Sequence, residues 1–157
     1  MTLRPILATP DSVSRFGMLA GAPAGVPTSE GPDYRFWSDM AHYTIEGETE
    51  IGVCTVFRQP GTSVGTVERH RATPEILIAI DGPFLVPLLL DGEHPSAMQV
   101  FHVNLGEAIV INPGVWHGAC LPADGDTSSY FVIFRRGTPK MDVEKKHFDP
   151  VEIAIDR

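Results

Sequence analysis

Residues 66–82 read TVERHRATPEILIAIDG. Glu68 and His70 are two apart, and in an extended chain that spacing puts both side chains on one face. Thr73-Pro74 interrupts the run. Glu75 then opens a second apolar segment, from which its side chain can return to the same face. A partner segment lies at 106–117, GEAIVINPGVWH. There an apolar run ends in the turn Asn112-Pro113-Gly114, and His117 follows three residues later. Two strands and a turn bring Glu68, His70, Glu75 and His117 together. Two carboxylates and two imidazoles form a mixed nitrogen and oxygen set suited to a divalent ion, with Zn, Ni, Mn and Fe all compatible. The alternative is a metal-free pocket in which these groups hydrogen-bond to one another.

Outward from this pair, the chain reads as short strands. Residues 50–58, EIGVCTVFR, alternate and stop at Gln59-Pro60-Gly61. Further strands are expected over 84–90, 98–103, 108–111, 118–121 and 129–135, and a last one where Val151, Ile153 and Ile155 alternate with Glu152, Ala154 and Asp156. Asp81-Gly82-Pro83, Asp91-Gly92 and Asp124-Gly125-Asp126 supply turns. At the N-terminus, Thr9 caps and Pro10 opens a short helix that ends at Gly17. Residues 18–31 are rich in Gly, Ala and Pro and read as a loop or arm. Residues 33–43 form an aromatic strand or arm. About nine or ten strands between Gly/Pro turns predict an all-β antiparallel sandwich or barrel. Its interior is wide enough for one small ligand.

The 157 residues fit one domain over 1–157, and 43% hydrophobic with 20% charged residues is enough for a buried core. A net charge of −8 argues against nucleic acid or an anionic membrane as partner. No window approaches the roughly 20 apolar residues of a membrane span, and the first residues lack a leader pattern. Cys54 and Cys120 belong to no C-x-x-C pair and read as reduced thiols of a cytoplasmic protein. His42 reads as a surface histidine. His102 shares a face with Val100 and is a reserve ligand. Arg58 ends its strand at the barrel mouth; it is either a surface ion-pair residue or a clamp for a substrate carboxylate.

The joint spacing of Glu68, His70, Glu75 and Gly82 with Gly106, Asn112-Pro113-Gly114 and His117 resembles the two motifs of the cupin superfamily. Glu68 stands where the first motif has a histidine, and Pro113 is one residue out of register. The words ERH (68–70) and GVWH (114–117), with RFG (15–17), the aromatic run 36–43 and FRQ (57–59), resemble the ureidoglycolate lyase family. That family has glutamine where this chain has Glu75, and an Asp-Arg-Gly-Gly segment where this chain has Phe134-Arg135-Arg136-Gly137.

The resemblance implies a cupin-type double-stranded β-helix (a jelly-roll barrel) with a short N-terminal helix. It implies a homodimer in allantoin degradation, and cleavage of ureidoglycolate, a small carboxylate, to glyoxylate and urea. Glu68, His70, Glu75 and His117 would hold the metal, with Glu75 and His70 in the chemistry and Arg58 on the carboxylate. Trp116 is expected to pack rather than line the pocket. Two other readings remain: a metal cupin acting on another small carboxylate or sugar acid, and a non-catalytic small-molecule-binding cupin.

Overall fold

Gly/Pro turns cut the chain into short apolar runs, and nearly every run becomes a strand. The computed structural model describes residues 1–155. Fifteen strands occur among them: β1 (Thr2–Leu3), β2 (Ile6–Leu7), β3 (Gly17–Ala20), β4 (Ser29–Gly31), β5 (Tyr34–Phe36), β6 (Thr49–Phe57), β7 (Ser63–Arg69), β8 (Glu75–Ala79), β9 (Phe84–Leu89), β10 (Gln99–Val103), β11 (Ala108–Ile111), β12 (Trp116–Gly118), β13 (Leu121–Pro122), β14 (Thr127–Arg135) and β15 (Glu144–Ile153). One α-helical turn, α1 (Thr138–Met141), precedes β15.

The strands make two large curled sheets. One has the order β1-β15-β7-β12-β9-β10-β2, with β13 also on β9; the other has the order β3-β11-β8-β14-β6. The main core lies between them. Leu19, Leu77 and Ile109 of the five-stranded sheet meet Val86, Leu88 and Phe101 of the eight-stranded sheet. Phe84 and Tyr130 face each other across the gap with centroids 4.8 Å apart. Phe84, Phe101 and Leu88 are fully buried, each worth about 1.5–3 kcal/mol over leaving it in water. A second cluster, with Val67, Leu85, Leu89 and Trp116, covers the other face of the eight-stranded sheet. All six residues of β9 are therefore buried, which is why 84–89 is continuously apolar and does not alternate. The architecture is the cupin-like double-stranded β-helix.

The structure departs from the sequence expectations in four places. The N-terminal helix is a run of turns over residues 10–16. Thr9 and Ser12 cap each other (2.8 and 3.0 Å), but the Gly17 amide already turns back to the Val13 carbonyl, and the chain enters a strand at once. Val13 and Phe16 still dock into the core.

Residues 17–20 are strand β3 and not loop, paired with β11 so closely that a Cβ at Gly17 would lie 1.7 Å from the Val110 carbonyl oxygen. The last strand begins at Glu144, well before the expected alternation, and Asp156 lies outside the described residues. The 118–121 strand is divided between β12 and β13. The aromatic arm is present: β4 and β5 form a separate hairpin that leaves Tyr34 and Phe36 about half exposed.

Candidate metal centre and cavity

Strand pairing assembles the four expected ligands. Glu68 on β7 sits directly opposite His117 on β12. His70 is the residue after β7, on the same side as Glu68. Glu75 opens β8, opposite Ile111 at the end of β11. The turn between β11 and β12 is docked by the Gly114 amide, which donates to the His70 carbonyl at 2.7 Å. Gly114 has φ +81°, a left-handed conformation that glycine adopts without steric cost. The short turn thus ties the backbone that carries His117 to the backbone that carries His70.

The ligand atoms of Glu68, His70 and His117 lie within 4.8 Å of one another. Glu75 Oε2 approaches His117 Nε2 at 3.0 Å and His70 Nε2 at 3.5 Å. Neither approach is aligned as a hydrogen bond, so all three atoms are buried without a hydrogen-bond partner. His70 Nδ1 meets the Asp142 carbonyl at 2.7 Å. A carbonyl can only accept, so Nδ1 carries the hydrogen and Nε2 presents its lone pair inward in the neutral ring. The Phe134 ring meets His70 edge-on at 5.6 Å and holds its tilt.

Buried, unpartnered lone pairs beside a carboxylate are costly in a low-dielectric interior. Burial by itself would push the Glu75 carboxyl up, yet the neighbouring His117 and His70 hold it at about 2. Burial would lower His70, but Glu75 raises it above its ordinary value. Both directions express one requirement: positive charge beside Glu75. A divalent cation meets it, and the orphaned nitrogens and oxygen are the donors it takes, so the residues fit a metal ion.

The four residues open into a cavity of about 500 Å³ whose wall includes Thr66, Leu77, Val86, Cys120, Tyr130 and Phe134. Burial pushes the Tyr130 phenol well above its ordinary range, and it stays protonated; the Cys120 thiol rises for the same reason. Cys54 and Cys120 are free and both line the cavity.

Arg58 does not line this cavity. Its Nε donates to the Gly125 carbonyl at 2.6 Å, and it borders a separate surface depression with Asp124 and Asp126. Its strand runs to the far end of the sheet, beside the 124–126 loop, so the mouth position expected for Arg58 is corrected. His102 is on β10, opposite Leu85 and Leu7, and is also outside the cavity. Trp116 points to the outer face, where its indole donates to Asp91 at 3.2 Å and the Arg69 guanidinium lies 4.3 Å over the ring. Exposed His42 pairs with Asp39.

Sequence reading missed Tyr130 and Lys145 as cavity residues. Tyr130 lies within an apolar strand and Lys145 lies on the unrecognised first half of β15, so no local pattern marks either.

The sequence profile of the ureidoglycolate lyase family matches residues 9–156. The chain belongs to the ureidoglycolate lyase family. No curated protein matches this sequence.

Among solved structures the chain is similar to the sugar 3,4-ketoisomerase QdtA of Thermoanaerobacterium thermosaccharolyticum in complex with TDP, at 16% identity and a TM-score of 0.47, over 60% of this chain and 64% of that one. It is similar to the Drosophila melanogaster CENP-C cupin domain at 20% identity and TM-score 0.43, over 54% and 55%. It is also similar to a Klebsiella pneumoniae protein with a double-stranded β-helix domain at 14% identity and TM-score 0.44, over 67% and 80%. The chain thus spans less than two thirds of the first two. These likenesses are of fold alone. No helix among the described residues is long and apolar enough to cross a membrane.

Proposed function

We propose that this chain, working as one cupin domain, cleaves ureidoglycolate to glyoxylate and urea in the cavity beside Glu75. The observation that carries the reading is the family match over 9–156 together with an inward group of two histidines and two glutamates. Glu68, His70, Glu75 and His117 would hold a divalent ion (Zn, Ni, Mn or Fe). When bound, that ion polarises substrate oxygens and lowers the pKa of a hydroxyl.

The remaining chemistry falls to side chains. The reaction moves the carbinol O–H proton away, makes C=O from C–O and breaks C–N; the departing nitrogen gains a proton, so the count closes. Glu75 is ionised at neutral pH, and a carboxylate oxygen of Glu75 that is not on the ion is our candidate acceptor for the hydroxyl proton. His70, oriented by the Asp142 carbonyl, keeps the carboxylate and the hydroxyl in register. Tyr130, held protonated by burial, supplies a neutral donor for the urea end. The apolar wall at Leu77, Val86 and Phe134 would lower the local dielectric and strengthen each of these contacts.

We further propose a homodimer in the cytoplasm, serving purine breakdown. Strand β6 is a sheet edge and exposes Ile51, Val53 and Phe57 (68%, 60% and 63%), beside Phe131 of β14. A flat apolar face of this kind suits a second copy of the chain. Sedimentation at twice the chain mass would support it, and a monomer would sink it. Free Cys54 and Cys120 favour a reducing compartment.

The test of the activity combines elemental analysis with a urea-release assay. About one metal per chain with urea release is expected, and His117→Ala should lose both. Normal turnover in that variant would overturn the site. Metal without urea release would favour the second reading, a metal cupin acting on another small hydroxy acid; that reading draws on Glu75, a carboxylate where the family has an amide.

A further inference from the structure

A substrate with a carboxylate needs a cation near the reacting centre, and a chain of net charge −8 repels it at long range. The alternation of β7 and β15 decides which cation is available. These antiparallel strands pair Glu144 with Arg69, Lys145 with Glu68, Lys146 with Val67 and His147 with Thr66. Side chains of opposed residues share a face, so Lys145 joins Glu68 on the cavity side, whereas Glu144 and Lys146 turn outward.

The outward cations are already engaged. Arg69 binds Asp91 and Glu144 at 3.0 Å each, Arg71 also binds Glu144, and Lys146 lies over Trp116 at 6.0 Å. Arg58 is at the other depression. Among the described residues lining the cavity, Lys145 is the one lysine or arginine. It makes no ion pair with any described residue, although Glu68 is its cross-strand neighbour.

We propose that Lys145 is the anchor for the substrate carboxylate, at the mouth of the cavity above Glu68. The proposal rests on the lyase reading for its substrate. With Glu68 committed to a metal ion, the exposed Lys145 side chain is left as a point charge on a flexible stem, with three donors to offer at the cavity wall. The stem grows from a strand whose neighbouring residue, Glu144, is clamped by two arginines, so its base is fixed while its head is free to follow the ligand. The anchor sets specificity toward small 2-hydroxy acids over their amides, because a neutral amide would not compensate the ammonium.

The decisive comparison uses wild type, Lys145→Met and Lys145→Arg, all as purified with their metal. Binding of glycolate and of its neutral amide, glycolamide, is read by calorimetry, and turnover of ureidoglycolate by urea release. Expected for Lys145→Met is about a tenfold loss of glycolate affinity and a similar rise in KM, with kcat within about threefold, because a remote ground-state contact is lost in substrate and transition state alike. Glycolamide binding should be unchanged, and Lys145→Arg should recover most of the loss. Added salt should raise KM in wild type more than in Lys145→Met.

Glycolate affinity and KM within twofold of wild type in Lys145→Met would overturn the anchor, as would a wild type that does not prefer glycolate to glycolamide. If wild type releases no urea yet loses glycolate binding with Lys145→Met, the anchor stands and the lyase reading falls.

Discussion

The two faces of the β7–β15 pair use similar residues to opposite ends. On the outer face Arg69, Trp116, Asp91 and Glu144 satisfy one another: two carboxylates on one guanidinium, the guanidinium on the indole, and the indole N–H on Asp91. On the inner face, one residue along the strand in either direction, Glu68 and His70 join Glu75 and His117 with nitrogens and an oxygen that have no hydrogen-bond partner. The outer set is paired within itself, with Asp91 and Glu144 still open to solvent. The inner set is left with buried donor atoms that a cation could take. Adjacent positions on one strand can thus serve stability and chemistry separately, because a strand sends successive side chains to opposite faces.

The strongest way to break that contrast is on the inner face. Glu75→Met, which removes the carboxylate without supplying the amide of the family, should remove bound metal and reduce urea release at least about 100-fold, while the metal-free protein melts no lower than metal-free wild type. A buried charge would have been removed from a site that is not optimised for stability. A large fall in melting temperature with retained turnover would mean that the inner set is structural after all.

The outer face should respond the other way. Arg69→Met keeps the stem over Trp116 and removes the charge. The melting temperature should fall by about 3–6 °C, with kcat within about threefold. Its pH dependence sharpens the test. Hydrogen bonds from Trp116 and Arg69 hold Asp91 below its ordinary 3.8, and those from Arg71 and Arg69 hold Glu144 below its ordinary 4.5. Folded-state values below the unfolded ones mean that the stabilisation is present above those ordinary values and is lost as pH falls through the depressed ones. Melting curves between pH 6 and 3 should therefore converge for wild type and Arg69→Met at the acid end. A constant gap would assign the loss to packing alone.

The smallest effect is expected at Arg58, which sits on neither face of the pair. Arg58→Ala should leave KM and metal content within twofold of wild type. A KM rise comparable to that of Lys145→Met would return Arg58 to the substrate.

Sequence alone determined the elements whose signal is local. Alternation and Gly/Pro turns marked most of the strands, and the short separations Glu68–His70 and Gly114–His117 survive folding because a single strand or a single turn carries each. The all-β class follows from that, as does the placing of Glu68, His70 and His117 close enough together to share one ion. What only the tertiary structure decided depends on residues distant in the chain. The return of β15 beside β7 brings Lys145 opposite Glu68, 77 positions earlier by number, and no local period encodes that register. The same non-local pairing carried Arg58 away from the site, made 17–20 a strand against β11, and placed Tyr130 in the cavity wall. Periodicity can say which face a residue takes on its own strand. Which other strand that face meets is set by how the two sheets curl over one buried core.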